Sequence, residues 1–460
     1  MTFLIKYLLS LLILASILNA QEYNNIIKGI DISSLQQIED NNGKFYQNGI
    51  EKDPLKIFKE NGINTVRLRL WHNPQSGYNN FSKTLIFAQR IKNMGLNFIL
   101  DFHYSDSWAD PSQQVKPNKW KELTFNELKD SVYLYTKFVV GSLKQQNTIP
   151  EIIQIGNEIT CGFLWDDGKI CDTFNNEEQW NKFSDLIKEG IRGVNESLTN
   201  EDSVKIMLHI DNGGNNEICR WFLDNLNKTE ISYDIIGLSY YPWWHGSLDD
   251  LKYNINDLSL RYDKEIIIAE TAYPWTLNWN DNTQNIIGNS DQLLNGYPAS
   301  VEGQKRFIAE LLKITTNQNN KLLGLVYWEP AWISTQSFGS SWENLALFDF
   351  KGEVLNSIKA FNNNTVKVNK ENRFVFELNQ NYPNPFNPYT NIKYSLPVSK
   401  FVILKVYDIL GNEISILVNE TKEPGSYEIK FDASDLPSGI YFYSINTDGY
   451  YQVKKMILAK

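Results

Sequence analysis

The chain is poor in the residues that build metal and redox centres. Its 460 residues include four His, three Cys and four Met, too few for a Cys-rich zinc module or a disulfide-dense scaffold. Positive charge is also short. Lys plus Arg is 44 against 54 for Asp plus Glu, a formal charge of −10, which argues against a nucleic-acid backbone or an anionic membrane as the main partner. No GxGxxG phosphate turn accompanies the first apolar run, which reads Gly29-Ile30-Asp31-Ile32-Ser33. The one long aliphatic stretch, Leu8 to Leu18, is short for a bilayer span, and no second one follows.

What the chain has in quantity is aromatic rings, 13 Trp, 24 Tyr and 24 Phe. So many rings exclude a disordered chain and suit either a large core or a surface that grips flat apolar ligands. Their placement says more than their number. All 13 Trp, all four His and all three Cys lie between Trp71 and Trp342, and the last hundred residues hold none of them. The length allows roughly three domains by the usual rule, or one large barrel plus a smaller unit.

Residues 1–20 read as a secretory signal: Lys6, then the aliphatic run, then Leu18-Asn19-Ala20 before Gln21. A membrane anchor is the alternative; no Cys opens the mature chain, so a lipid anchor is not expected. Residues 362–373 (NNNTVKVNKENR) are polar and aperiodic and read as a linker. Residues 374–460 alternate as strands do, in Phe401–Asp408 and Tyr427–Phe431, with turns at Leu410-Gly411-Asn412 and Pro424-Gly425. This composition predicts a small β-sandwich. A carbohydrate-binding module is the rival reading; it lacks Trp but has Tyr441, Tyr443, Tyr450 and Tyr451.

Between them, residues 22–361 repeat a short β-rich run, a loop and a helical stretch. The runs are Lys28–Ser33, Thr65–Leu70, Asn97–His103, Glu151–Glu158, Lys205–Ile210, Asp234–Tyr240, Glu265–Glu270 and Leu322–Trp328. Eight near-continuous apolar strands alternating with helices indicate a parallel sheet covered on both faces. The expected fold is a (β/α)8 TIM barrel, followed by the small all-β sandwich-like domain; an open doubly wound sheet is the alternative. A barrel works at the C-terminal ends of its strands. Those ends carry Asp31, Arg67, Arg69, Asp101, His103, Asn157, Glu158, His209, Asp211, Tyr240, Glu270, Trp328 and Glu329.

Glu158 ends the fourth run and Glu270 the seventh, so a barrel sets them across one mouth. Two carboxylates facing a sugar are the minimum for breaking a glycosidic bond, one protonated to assist the leaving oxygen and one ionised. Arg67 is positioned to keep Glu270 ionised and Tyr240 to donate to it. The Phe163–Trp165 loop is positioned to raise the pKa of Glu158 by desolvation, and the Asn157 amide suits a sugar 2-hydroxyl. Ten Trp follow strand ends: Trp71, Trp108, Trp165, Trp243, Trp244, Trp275, Trp279, Trp328, Trp332 and Trp342. A Trp face packs on the C–H face of a pyranose; loop packing is expected to account for about half of the ten. Trp120, Trp180 and Trp221 lie in helical stretches and read as core.

Several strings resemble glycoside hydrolase family 53: VRLRLWHNP (66–74), LDFHYSDSWADPSQQ (100–114), QIGNEI (154–159), IGLSYYPWWHGSL (236–248), Glu270-Thr271, VYWEPAWI (326–333) and WENLALFDFKGEVLNS (342–357). The resemblance spans most of residues 28–358. It implies a secreted, monomeric, retaining endo-β-1,4-galactanase acting on β-1,4-galactan and type I arabinogalactan side chains of pectin. It implies Glu158 as acid/base and Glu270 as nucleophile. Arg67, His103, Asn157, His209, Tyr240 and Trp328 would line the subsite of the attacked galactose, and Trp108, Trp243, Trp244, His245 and Trp332 the rest of the cleft. Retention further implies carboxyls about 5–5.5 Å apart.

In the tail, NYPNPFNPYTNIKYSLP, VYDILGNEI, SGIYFYSI and KKMILAK resemble the C-terminal sorting domain of type IX secretion substrates. That implies a secretion-machinery partner, a secreted or cell-surface location and no membrane span once the signal is removed.

No cofactor is expected. Some bacterial members of the resembled family hold calcium after the seventh strand. Here that loop (278–300) offers Asp281, Asn282, Asn285 and Asp291 but no DxDG-like cluster. Cys161 and Cys171 are placed to close a disulfide in an oxidising exterior, which leaves Cys219 unpaired and buried. Three other functions remain open: a barrel β-glycanase acting on mannan or glucan, a metal-dependent hydrolase using the strand-end His, and a non-catalytic galactan-binding surface protein.

Overall fold

The structure, a computed structural model, describes residues 26–315, 321–362, 377–396, 400–423, 425–447 and 450–460. The expected signal segment lies outside these residues, as does the expected linker save Asn362. The chain divides into two compact units, Met1–Val366 and Lys367–Lys460.

Eight strands of the first unit close a barrel: β1 Ile27–Asp31, β2 Thr65–Leu70, β3 Asn97–Phe102, β4 Ile152–Ile155, β5 Lys205–Ile210, β6 Ile235–Ser239, β7 Glu265–Thr271 and β8 Leu322–Trp328. Each pairs in parallel with its sequence neighbours, and β8 returns to β1. Helices such as Phe81–Asn93, Phe125–Gln145, Glu177–Asn195 and Val301–Thr315 cover the outside. Most of these helices start on a cap suited to the job. Thr124 and Glu127 form a reciprocal capping box, and Asn80 and Asn176 accept from the third helical N–H.

The barrel interior is layered. Ile99, Ile152, Met207, Ile235, Ile267 and Val326 make a dry plug inside it. At the C-terminal ends the inward residues become polar: Asp31, Arg67, Asp101, Gln154, His209, Ser239 and Glu270, from seven different strands. The plug makes the barrel a packed core, with a cleft open at its C-terminal face.

Four strands end earlier than their sequence suggests, β1 at Asp31 and β3 at Phe102 among them. β4 stops at Ile155 because Gly156 (φ 83°) and Glu158 (φ 48°) take left-handed backbone that a strand cannot carry. β6 stops at Ser239, where its pairing with β7 shifts register.

The second unit pairs β9 Glu377–Leu378, β10 Tyr389–Leu396 and β13 Gly425–Asp432 in one sheet. A second sheet holds β11 Lys400–Tyr407, β12 Glu413–Lys422, β14 Gly439–Thr447 and β15 Tyr450–Leu458. Ile392, Tyr394 and Phe431 of the first meet Val402, Leu404, Tyr443 and Met456 of the second in one core, a small β-sandwich. Among the described residues no helix is long and apolar enough to cross a membrane.

Candidate active site

Arg67 lies at the centre of the polar layer and is 1% exposed. Its guanidinium spends all five N–H groups on protein: Nη1 on Asp31 Oδ2 (2.9 Å) and Glu270 Oε1 (2.9 Å), Nη2 on Asp101 Oδ2 (2.9 Å) and Asn157 Oδ1 (2.9 Å), and Nε on Gln154 Oε1 (3.1 Å). Burial works against its charge, but Asp101, Glu270 and Asp31 outweigh burial and hold it protonated.

Glu270 also accepts at Oε2 from Tyr241 Oη (3.0 Å). Burial raises its pKa and Arg67 lowers it, with the net shift upward. Glu158 has weaker support, its one side-chain partner being the Ser239 hydroxyl at 2.5 Å from Oε1. Burial first, then the charges of Glu270 and Asp211, push its pKa well above the ordinary carboxylate range. The two environments therefore diverge in kind: two fixed donors, one of them cationic, on Glu270, against a hydroxyl and neighbouring carboxylates on Glu158. Such a divergence separates an acid from its ionised partner.

Both carboxyls line one cleft of about 650 Å³, with His103, Trp108, Asp110, Asn157, Asp211, Tyr241, Trp244, His245, Trp328, Trp332 and Trp342 among its walls. Five of the ten strand-end Trp are here (108, 244, 328, 332 and 342); Trp71, Trp165, Trp243 and Trp275 pack on other rings or a loop carbonyl, and Trp279 is half-exposed outside the cleft. Trp108 is held from beneath: the Arg69 guanidinium sits 4.2 Å from its ring centroid, and Trp71 meets it edge-on at 5.3 Å. Arg69 is itself anchored to Glu329 (2.6 Å) and Ser34 (3.0 Å). A fixed ring loses little rotamer entropy when a sugar stacks on it.

The structure corrects five of the expected placements. Tyr240 does not reach Glu270; it faces the helix layer, stacks on Phe307 and donates to Gly246 O (2.9 Å). Side chains alternate along a strand, so with Ser239 inward Tyr240 points out and Tyr241 points in. His209 is wholly buried below the cleft, between Asn157 and Ser239, rather than in its wall. Trp243 packs on Tyr241 and Trp342 behind the wall. The Phe163–Trp165 loop is not part of the wall either: Phe163 packs on Tyr104 and Phe183, and Trp165 donates to Cys161 O. Arg67 likewise stands under the cleft and acts through Glu270 and Asn157.

Three expected residues are placed in the wall with their bonding partly used. His103 gives Nε2 to Asp101 (2.9 Å) and accepts at Nδ1 from Trp71 and Ala109, leaving only ring edge for a ligand. Asn157 spends one N–H on Ala109 O (2.8 Å) and keeps the other. His245 accepts at Nδ1 from Tyr241 N–H (3.0 Å), and burial lowers its pKa to about 4, so its Nε2 is a neutral donor. Ser239 and Tyr241 were not singled out from sequence, and Trp342 only as one of the strand-end rings. The inward alternation through Gly237 was a usable clue for the first two.

Cys161 and Cys171 form a disulfide, and Cys219 is free and buried. In the loop after β7, Asp281 accepts from Thr283 N (2.6 Å) and Ser340 N (2.9 Å). Glu343 accepts from Asn280 N (2.6 Å) and Ser334 Oγ (2.6 Å). N–H and O–H donors occupy these oxygens, while Asn285 Oδ1 in the same loop is buried with no hydrogen-bond partner. Among the described residues no group of three or more His, Cys, Asp or Glu is placed to hold a metal.

The family model "Glycosyl hydrolase family 53" matches residues 27–361, and "Secretion system C-terminal sorting domain" matches 380–459. The chain is 35% identical to an arabinogalactan endo-beta-1,4-galactanase of Cellvibrio japonicus, over 74% of this chain and 91% of that one. It is 31% identical to an endo-beta-1,4-galactanase of Bacillus subtilis, over 73% and 85%. The solved GH53 catalytic domain of Ignisphaera aggregans superposes with a TM-score of 0.69 at 38% identity, covering 74% of this chain and 96% of that one.

Proposed function

The chain belongs to glycosyl hydrolase family 53, and from that premise we propose that it is a monomeric, retaining endo-β-1,4-galactanase that cuts β-1,4-galactan and arabinogalactan side chains. The observation that carries the chemistry is the pairing of Glu270 with Arg67 and Tyr241 across the cleft from a Glu158 backed by a hydroxyl and carboxylates. Glu270, the more readily ionised, attacks the anomeric carbon. Glu158 gives its proton to the leaving oxygen, then takes one from water as the glycosyl-enzyme is hydrolysed. The free N–H of Asn157 serves the sugar 2-hydroxyl, and Trp328, Trp108, Trp332 and Trp244 stack on successive residues. The sorting domain makes the protein secreted or cell-surface, with the secretion machinery as its partner.

Reducing-sugar release from linear galactan, against mannan and cellulose, tests the reading. Release from galactan is expected, and mannan or glucan cleavage without it would contradict the reading. We propose no metal in the reaction, so activity is expected to survive EDTA, and a metal-reversible loss would revive the hydrolase alternative.

The pH profile has a definite sign. Turnover needs Glu270 ionised and Glu158 protonated, so kcat/KM falls as pH drops through the pKa of Glu270 and as it rises through that of Glu158. Both are raised. The bell is therefore expected to sit above the ordinary carboxylate range, with its alkaline limb absent from Glu158→Ala.

A further inference from the structure

Beneath the acid/base runs a chain of hydrogen bonds whose two middle members are sealed from solvent. Glu158 Oε1 is 2.5 Å from Ser239 Oγ, Ser239 Oγ is 3.0 Å from His209 Nε2, and His209 Nδ1 is 2.9 Å from Asn157 Oδ1. Ser239 and His209 are wholly buried. The hydrogens in this chain can be assigned. Asn157 presents oxygen to His209, because that atom accepts from Arg67 Nη2–H while Nδ2 donates to Ala109 O. Gln154 Nε2 also lies 3.1 Å from His209 Nδ1, but its two hydrogens have closer acceptors in Asp101 Oδ1 (2.6 Å) and Gly156 O (3.0 Å). His209 Nδ1 therefore carries the proton and donates to Asn157. Burial, with Arg67 and His103 near, keeps the ring neutral, which leaves a lone pair on Nε2.

The Ser239 hydroxyl then has one hydrogen and two claimants, Glu158 Oε1 and His209 Nε2. We propose that Ser239 and His209 are positioning residues forming a two-way hydrogen-bond switch that satisfies Glu158 as acid and as base. With the proton on Oε1, Glu158 donates to Ser239 Oγ and the hydroxyl hydrogen points to His209. With the proton on Oε2 for delivery to the leaving oxygen, or already given up, Oε1 is an acceptor and the hydroxyl hydrogen turns to it. No covalent bond in Ser239 or His209 breaks, and the only proton transferred is the one passing between Glu158 and the leaving oxygen, or water on the return step. Rotation of a hydroxyl needs no backbone movement, so the carboxyl keeps its place through both halves of the reaction. A methyl at position 239 offers neither state a partner.

The inference rests on Glu158 as acid/base. Facing that carboxyl are Glu270 from β7, Asp211 after β5, Asp110 after β3 and Tyr241 after β6, with Arg67 reaching it through Asn157. Substitutions at 239 and 209 leave all of these in place, so a moved limb reports the switch.

The test is the alkaline limb of kcat/KM on galactan for Ser239→Ala, Ser239→Cys and His209→Leu, with folding checked by thermal melting. Ser239→Ala removes the donor that steadies the ionised form, so its limb is expected to move up by about one pH unit. Ser239→Cys, a weak donor, is expected to fall between. His209→Leu removes the competing acceptor, commits the hydroxyl to Glu158 and is expected to move the limb down. If His209→Leu does not fold, the graded Ala and Cys pair decides. A folded Ser239→Ala enzyme whose limb is unmoved or lowered overturns the switch. A limb that persists in Glu158→Ala sinks the acid/base assignment instead, so the two failures are distinguishable.

Discussion

Glu270→Ala is expected to lower galactan turnover by about 10⁴-fold or more while the polysaccharide still binds. Removing a nucleophile takes away the covalent path, and losses of this size are typical when one member of a catalytic unit is deleted. Binding is expected to persist because the stacking rings, Trp108, Trp328 and Trp332, do not depend on this carboxylate. Deletion also relieves Arg67 of one of three carboxylates, leaving Asp31 and Asp101 to hold it, so the variant is expected to fold. Turnover assays paired with retardation in galactan-containing gels check both halves. A variant that retains a tenth of wild-type turnover would remove Glu270 from the chemistry.

The second large effect falls on Arg67. Arg67→Met is expected to cost about 3–5 kcal/mol of folding stability, because it strands carboxylates that share one buried cation. Asp31 and Asp101 are wholly buried and Glu270 is 6% exposed, so water does little to compensate. Arg67→Lys keeps a charge but has three donors in place of five and cannot span Asp31, Asp101, Glu270, Asn157 and Gln154 at once. It is expected to fold with reduced stability and a lower kcat, as Glu270 and Asn157 lose their common brace. Denaturant melts with kinetics on the folded fraction separate the two effects. Wild-type stability in Arg67→Met would show that the cation is not what holds the layer together.

The barrel was legible because its eight strands are apolar on both faces and stand out as runs, and the paired carboxylates because each closes such a run in the sequence. Orientation was harder to read. Tyr240 and Tyr241 are adjacent and identical in chemistry, so only the phase of the strand tells which one faces Glu270. That phase is fixed by the inward turn of Ser239, a small residue that attracts no notice. His209 looks like a ligand-binding residue at a strand end, yet one layer of depth separates it from the cleft. Depth depends on the stagger of the closed sheet and is not written in any one strand. The Phe163–Trp165 loop misled for a related reason: the left-handed turn at Glu158 and the Cys161–Cys171 disulfide carry the chain away from the cleft. The brace formed by Asp281 and Glu343 joins loops some sixty positions apart, a pairing that local pattern does not reveal.

The most direct test is the anomeric configuration of the first product, followed by proton NMR from the earliest minutes of galactan hydrolysis. Double displacement through Glu270 predicts that the β-anomer appears first and the α-anomer only later, by mutarotation. An α-anomer formed first would mean a single displacement by water and would contradict a nucleophilic Glu270.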